Sequence, residues 1–428
     1  MNVDSFDSDS LNLVAQASHR QRVLVGVTGG IAAYKVCEIV SQLVQQGNEV
    51  QVVLTKGAME FVSSLTFATL SRRAAYTDDD FWQPNHGRPL HITLGEWADV
   101  ILIAPLTANS LAKLAYGMAD NLLMNIILAS DCPVLLAPAM NTTMWEQATV
   151  QVNYQYLQEL PRYTYIMPNV GRLACDVVGN GRMAEPATIL SYLQSCAQTK
   201  GIQDLQGKQV LISTGGTREF IDLVRFIGNP ATGKQGIAIA QAALHRGAKV
   251  TLVAANLANP HSPELAGMEV IPVTTARELQ QIMEEQFSQA DLIVMCAAVG
   301  DVRPQNYTAA KIPKADLPQD LPLVPIPDIV AQLAQRKQSH QQLIGFAAQV
   351  GSMTEIMAAA RDKLARKHLD AIVANAVHRP ETGFASETNQ AIFLHRDGRQ
   401  QTTALVSKLS LGHQLWDFLM EAESGDND

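Results

Sequence analysis

The stretch that decides the fold is "RVLVGVTGG", residues 22–30: an apolar, largely β-branched run that stops on a glycine pair. After it comes "IAAYKVCEIVSQLVQQG", residues 31–47, with apolar positions at helical spacing and a closing glycine, then a second apolar run, "EVQVVLT", residues 49–55. Strand, helix and strand in that order make a βαβ unit. The pattern returns late in the chain. "QVLISTGGT", residues 209–217, repeats the strand and glycine pair, and "KQGIAIAQAALHRGAKVTLVAA", residues 234–255, repeats the helix, the glycine stop and the next strand. "WADVILIAPLTAN" (97–109) is likewise echoed by "QADLIVMCAAVGD" (289–301). Strands this uniformly apolar belong in a parallel sheet covered on both faces, so each half reads as a doubly wound, Rossmann-like α/β domain. The polar stretch "AQTKGIQDLQGKQ" (197–209) marks the join. The expected division is a disordered leader over 1–20, a first domain over 21–200 and a second over 201–428.

Composition fits that reading and excludes several functions. With 428 residues, 47% of them hydrophobic, the chain has material for two cores. A net charge of −9 and the lack of long Lys/Arg runs argue against nucleic acid and membrane surfaces as partners. The five scattered cysteines form no C-x-x-C pair, which implies reduced thiols. The N-terminus is acidic where a signal peptide is basic, and no apolar run approaches the roughly 20 residues of a membrane span. A cytoplasmic protein is expected.

In doubly wound sheets the ligand crevice lies at the carboxyl ends of the strands, where a glycine turn and a helix N-terminus together receive phosphate. Gly29 and Gly30, and Gly215 and Gly216, stand at such turns, either as phosphate ligands or simply as tight turns. The first loop does not complete G-x-G-x-x-G and no acidic residue closes "VQVVLT", so a mononucleotide such as FMN fits better than a dinucleotide. "GNPATGKQ" (228–235) mimics a P-loop until Gln235 replaces the Mg-binding hydroxyl, though its glycines and the free first amides of the next helix can still line an anion site. "PAMNTTMWEQ" (138–147) follows the strand "CPVLLA" and so projects Met140 and Asn141 from the catalytic end of the first sheet. An asparagine amide there suits a small acid, since it can donate to a carboxylate. Met144 and Trp145, read alone, are better taken as ordinary core residues.

"PAMNTTMW" resembles the P-x-M-N-x-x-M-W motif of flavin-dependent cysteine decarboxylases; "TGGIAAYK" (28–35) and "HITLGEWADVILIAPLTAN" (91–109) resemble their flavin loop and active-site histidine stretch. With the second half included, the chain from about residue 21 resembles the bifunctional phosphopantothenoylcysteine decarboxylase and phosphopantothenate-cysteine ligase of coenzyme A synthesis. For the first half this implies a flavodoxin-like domain in which FMN oxidises the substrate thiol, CO₂ departs, and the reduced flavin returns the electrons. The resemblance makes His91 the base, Asn141 the holder of the substrate carboxylate and Cys175, in "LACDVVGNGRMAE", the acid that protonates the enethiolate. It also implies cofactor contacts at Gly29, Gly30, Thr55, Thr107 and Asn109. The alternatives are a structural histidine and a merely buried cysteine. Asp176 and Val177 depart from the usual A-C-G pattern.

For the second half the resemblance implies nucleotide activation of phosphopantothenate and attack by the cysteine amine, with CTP as co-substrate and Mg²⁺. Asn229 matches the asparagine tied to the acyl-nucleotide, Asp301 a nucleotide-site aspartate, and Lys311 and Lys314 of "KIPK" a mobile lysine strip. Pro327, Asp328, Ile329 and Phe346 match nucleotide contacts. Lys363 and Lys367, spaced i, i+4 on one helix, can face one phosphate, or can form an ordinary solvated face. Pro313, Ile326, Gln349, "STGGT" and "GNPATGK" depart from the family pattern, and the metal ligands are open. The implied partners are phosphopantothenate, cysteine, phosphopantothenoylcysteine and copies of the chain itself, as decarboxylase trimers joined through ligase dimers. Two other readings stand beside this one: a decarboxylase of peptide C-terminal cysteine with a degenerate second domain, and a non-catalytic flavoprotein regulatory module.

Overall fold

The computed structural model describes residues 20–84, 87–172, 178–376, 382–383 and 385–421. The expected leader, save Arg20, lies outside these residues, as do Cys175, Asp176 and Val177. The chain divides into two compact units, Met1–Gln203 and Asp204–Asp428.

In the first unit β1 (Arg22–Val27), β2 (Glu49–Leu54), β3 (Ala75–Tyr76), β4 (Val100–Leu106), β5 (Val134–Pro138) and β6 (Tyr163–Tyr165) form one parallel sheet in the order β3-β2-β1-β4-β5-β6. The apolarity of β1 has a direct cause in its two covered faces. Val23, Val25 and Val27 pack with Val36, Ile39 and Val40 of helix Ala33–Gln45, while Leu24 packs on the other face with Leu123, Ile126 and Ile127 of helix Leu122–Leu128. Gly26 is where that second helix presses closest, since a Cβ there would lie 2.6 Å from Leu123. After the sheet, β7 (Asn169–Arg172) and β8 (Val178–Arg182) form an antiparallel hairpin.

The second unit repeats the plan. Here β9 (Gln209–Gly215) is followed by the hairpin β10 (Arg218–Phe220) and β11 (Phe226–Gly228). Then come β12 (Lys249–Ala255), β13 (Glu269–Val273), β14 (Leu292–Met295) and the pair β15 (Val302–Pro304) and β16 (Leu323–Pro325). The chain continues through β17 (Gln342–Gln349), β18 (Ala371–Ala376), β19 (Thr388–Asn389), β20 (Ala391–His395), β21 (Gln400–Thr402) and β22 (Val406–Ser407). The main sheet runs β13-β12-β9-β14-β17-β18-β20-β21. Its first six strands are parallel and reproduce the strand order of the first unit. β20 and β21 are antiparallel additions at the edge, a feature the expectation of parallel sheets did not include. The β20–β21 pairing has a local cause: Asp397-Gly398, with Gly398 at φ +100°, closes a tight hairpin, and a tight hairpin joins only antiparallel strands. Among the described residues no helix is long and apolar enough to cross a membrane.

Candidate active sites

The reversal of strand order between β1 and β4 opens a crevice at the carboxyl end of the first sheet. Thr28 ties its two walls together, its hydroxyl donating to the Pro105 carbonyl at 2.6 Å and accepting from the Thr107 amide at 3.1 Å. Thr107 in turn caps helix Ala108–Tyr116, whose first turn carries the exposed Asn109. Thr55 is held by its amide to the Val27 carbonyl at 3.0 Å, and Gly29 lies so close to Gly57 that a Cβ would sit 2.9 Å from its carbonyl carbon. Gly29, Gly30, Thr55 and Thr107 therefore frame one crevice. Helix Ala33–Gln45, which begins there, has no side-chain cap and no acidic residue in its first turn. An anionic group at that end fits both the backbone approach and the dipole.

His91 is the second residue of helix Leu90–Trp97. That helix leads into the start of β4 and runs back along the sheet, so its first turn returns to the carboxyl end. The imidazole is half-buried, edge-on to Phe81 at 5.4 Å, and its buried Nδ1 has no hydrogen-bond partner among the described residues. A buried, unsatisfied ring nitrogen is costly in a purely structural histidine and is expected of one awaiting a ligand. Asn141 caps the short helix Thr142–Trp145, accepting from the Thr143 amide at 2.8 Å, while Trp145 is core and packs edge-on to Tyr154.

The β7–β8 hairpin, which leads to and from Cys175, is stitched to this same segment. The Met140 amide donates to the Gly181 carbonyl at 2.9 Å and the Thr142 hydroxyl to the Asn180 carbonyl at 2.7 Å. Gly179 and Gly181 make the approach possible: a Cβ would lie 2.4 Å from Thr142 Oγ1 in one case and 2.3 Å from the Met140 carbonyl in the other. Glu185, just beyond β8, pairs with Lys35 at 3.2 Å and Arg182 at 2.8 Å. The role expected of Cys175 falls outside the described residues.

The second unit holds a cleft of about 530 Å³ at the carboxyl ends of β9, β14 and β17. Asn229, Asp301, Pro327, Asp328, Ile329, Phe346, Lys363 and Lys367 all line it. Asp328 caps helix Ile329–Arg336 and pairs with Lys367 at 2.7 Å. Burial opposes its ionisation, but the hydrogen bonds from Lys367 and the Ala331 amide, with the charges of both lysines, hold the carboxyl below its ordinary range. Lys363 donates to the Phe346 carbonyl at 2.9 Å, and its ammonium is held below the usual lysine value by burial and then by neighbouring Lys367. The i, i+4 lysines thus face the cavity rather than solvent. Lys311 and Lys314 are exposed on the segment between β15 and β16 and do not line the cleft.

Two further lysines do. Lys234 opens helix Lys234–His245 behind Gly233, whose φ of +84° and close contact with Leu257 admit no side chain. Lys408 opens helix Lys408–Met420, and its ammonium is held low by burial and then by Lys234. Lys234 lies in the stretch that mimics a P-loop; Lys408 carries no sequence signal and arrives only by the fold. Neither was among the candidates, nor were the cleft-lining Gln235 and Asn389, which bond to each other at 2.9 Å. Four lysines against two carboxylates make the cleft suited to a phosphate-rich anion. Among the described residues no cluster of three or more metal-ligating side chains exists.

A Flavoprotein family model matches residues 12–198, and a model described as the DNA/pantothenate metabolism flavoprotein C-terminal domain matches residues 205–422. The coenzyme A biosynthesis bifunctional protein CoaBC of Bacillus subtilis is 39% identical over 397 residues, covering 93% of this chain and 96% of that one. Among solved structures, a PPC decarboxylase mutant complexed with pantothenoylaminoethenethiol is 40% identical over 41% of this chain and 97% of its own, with a TM-score of 0.38. The FMN binding protein AtHal3 is 41% identical over 41% of this chain and 96% of its own, also with a TM-score of 0.38.

Proposed function

The chain belongs to the family of coenzyme A biosynthesis bifunctional proteins, and on that footing we propose how its residues divide the work of a phosphopantothenate-cysteine ligase and a phosphopantothenoylcysteine decarboxylase. The first unit carries the decarboxylation. FMN is the flavin: its phosphate is received at Gly29 and Gly30 and the uncapped start of helix Ala33–Gln45, with Thr55, Thr107 and Asn109 beside it. The bound flavin supplies the two-electron oxidation of the substrate thiol and gives the electrons back after CO₂ loss. His91 takes the thiol proton. Its buried Nδ1, without a partner among the described residues, supports that role, because a group facing substrate lacks a partner until substrate binds. Asn141 orients the carboxylate that leaves; its Oδ1 is fixed by Thr143, which sets the direction in which Nδ2 can donate. The Met140–Gly181 and Thr142–Asn180 bonds fix the base of the hairpin leading to Cys175, the proposed acid.

The second unit carries the ligation. The observation that supports this reading best is the cleft with its lysines, because forming an acyl-nucleotide concentrates phosphate charge and that charge needs fixed cations around it. Lys363 and Lys367 hold the nucleotide phosphates, Phe346 contacts the nucleotide, and Asn229 faces the acyl-nucleotide. Mg²⁺ would be shared between the triphosphate and the cleft carboxylates Asp301 and Asp328, and would neutralise phosphate charge there. CTP is the proposed nucleotide, with Lys311 reaching its phosphates from outside the cleft.

The test is incubation of the full chain with phosphopantothenate, cysteine, Mg²⁺ and either CTP or ATP, followed by mass spectrometry. Phosphopantetheine and pyrophosphate are expected with CTP in preference to ATP. Preference for ATP would correct the nucleotide; absence of the cysteine amide with both would remove the ligase assignment for this chain.

A further inference from the structure

The segment between β15 and β16 carries Lys311 and Lys314, and between these two lysines the chain is held at Ile312. From Gln305 to Asp316 every residue except Ile312 is exposed. Ile312 is gripped through its backbone. Its amide donates to Asp222 Oδ2 at 3.2 Å, and its carbonyl accepts from Arg225 Nη1 at 3.1 Å. The same Arg225 nitrogen donates to Asp222 Oδ2 at 2.6 Å. The other carboxylate oxygen, Oδ1, takes the amides of Val224 and Arg225 at 2.8 and 2.7 Å. Asp222 is fully buried, so it is a carboxylate that an apolar residue could replace only by abandoning every one of these bonds. Upstream, the Thr308 amide donates to the Ile221 carbonyl at 3.2 Å, and the Gln305 amide donates to the Pro322 carbonyl at 2.9 Å. Next in the chain is Pro313, which has no N–H to offer.

Asp222 and Arg225 also sit on the β10–β11 turn, and β11 runs directly into Asn229 at the cleft. One ion pair therefore grips the lysine segment and the strand that delivers Asn229. We propose that Asp222 is a positioning residue for ligation: with Arg225 it clasps Ile312 and so fixes the point from which Lys311 is presented to the nucleotide phosphates. This rests on the reading of Lys311 as a phosphate contact. The clasp lets the lysine ends stay free to reach while their root is fixed, which reduces the conformational entropy lost when they close on an anion.

The experiment uses the full-length protein, comparing Asp222→Asn, Lys311→Gln and the double variant in CTP-driven ligation, with decarboxylation of supplied phosphopantothenoylcysteine as the control for intact protein. Lys311→Gln is expected to slow ligation by roughly ten- to a hundredfold, the loss of one charged hydrogen bond. Asp222→Asn is expected to slow kcat at least roughly tenfold. The double variant is expected to be no slower than the slower single, because both changes remove the same interaction. Trypsin supplies a readout independent of turnover: cleavage after Lys311 and Lys314 should accelerate in Asp222→Asn while the other sites of the unit stay protected. If Asp222→Asn does not fold, Arg225→Lys, which keeps the charge but cannot bridge Asp222 and Ile312 in the same way, takes its place with the same expectations. Multiplying losses in the double variant, or unchanged cleavage, would overturn the clasp while leaving Lys311 in place. A Lys311→Gln protein that ligates at the parent rate would overturn the Lys311 reading and the clasp with it. A parent protein that forms no cysteine amide would overturn the functional reading itself.

Discussion

Among the described residues the enclosed Nδ1 of His91, beside Phe81, has no hydrogen-bond partner, and a buried polar atom left so is costly. If the imidazole is the base for thiol oxidation, His91→Asn should lower CO₂ release by roughly a hundred- to ten-thousandfold, the range for loss of a positioned base. Flavin retention should be unchanged, because the cofactor contacts proposed above lie on other elements. Manometric or isotopic CO₂ assay with the visible flavin spectrum as control checks this; a variant that is both yellow and fully active sinks the assignment. Glycines behave differently at this scale. Gly29, Gly30 and Gly215 are visible in sequence because they end strands, whereas Gly179 and Gly181 matter only for what presses on them, Thr142 and the Met140 carbonyl.

At the scale of elements, helices Lys234–His245 and Lys408–Met420 both start at the cleft and pack along their lengths. Gly412 makes the close approach possible, with an added Cβ lying 3.0 Å from the Ala238 carbonyl, and Trp416 donates to the Ile239 carbonyl at 3.1 Å. Buried with them are His245 and His413. Burial, then the nearby His413, holds His245 well below the ordinary histidine value; burial, then the charge of Arg246, brings His413 down to about 3. Both folded values lie under the unfolded value of about 6.5. The unfolded chain therefore binds more protons than the folded one below that pH, and the stability these histidines contribute is complete above about pH 6.5 and lost as pH falls towards the depressed folded values. The slope is about 1.4 kcal/mol per pH unit for each histidine. Calorimetry should show the Tm of the second unit level near neutrality and falling steadily below about pH 6.5, with ligation failing in parallel. A Tm unchanged down to about pH 4.5 would contradict the buried, neutral pair.

At the scale of the whole molecule, each unit has its own sheet with both faces covered by its own helices. A fragment ending at Gln203 is expected to fold, bind FMN and decarboxylate supplied phosphopantothenoylcysteine; one starting at Asp204 is expected to form that compound from phosphopantothenate, cysteine and nucleotide. Far-ultraviolet circular dichroism and the two separate assays check this, and a fragment that folds without its activity contradicts the division of labour. The two βαβ beginnings, the doubly wound class and the motif residues at the strand ends were set by sequence alone. Those signals are local: an uninterrupted apolar strand requires two covered faces, and a glycine turn before a helix marks the ligand end. The β20–β21 hairpin has as local a signal, in Asp397-Gly398, whereas the antiparallel docking of β20 on β18 has none so short. The rest depended on which distant segments meet. Only the folded chain brings Lys408 to the cleft that Lys234 opens, sets the glycine hairpin against Met140, and leaves Lys311 and Lys314 outside, rooted at Asp222. No short window of sequence carries such contacts, because strand order and helix packing place those residues together only when the sheet closes around its core.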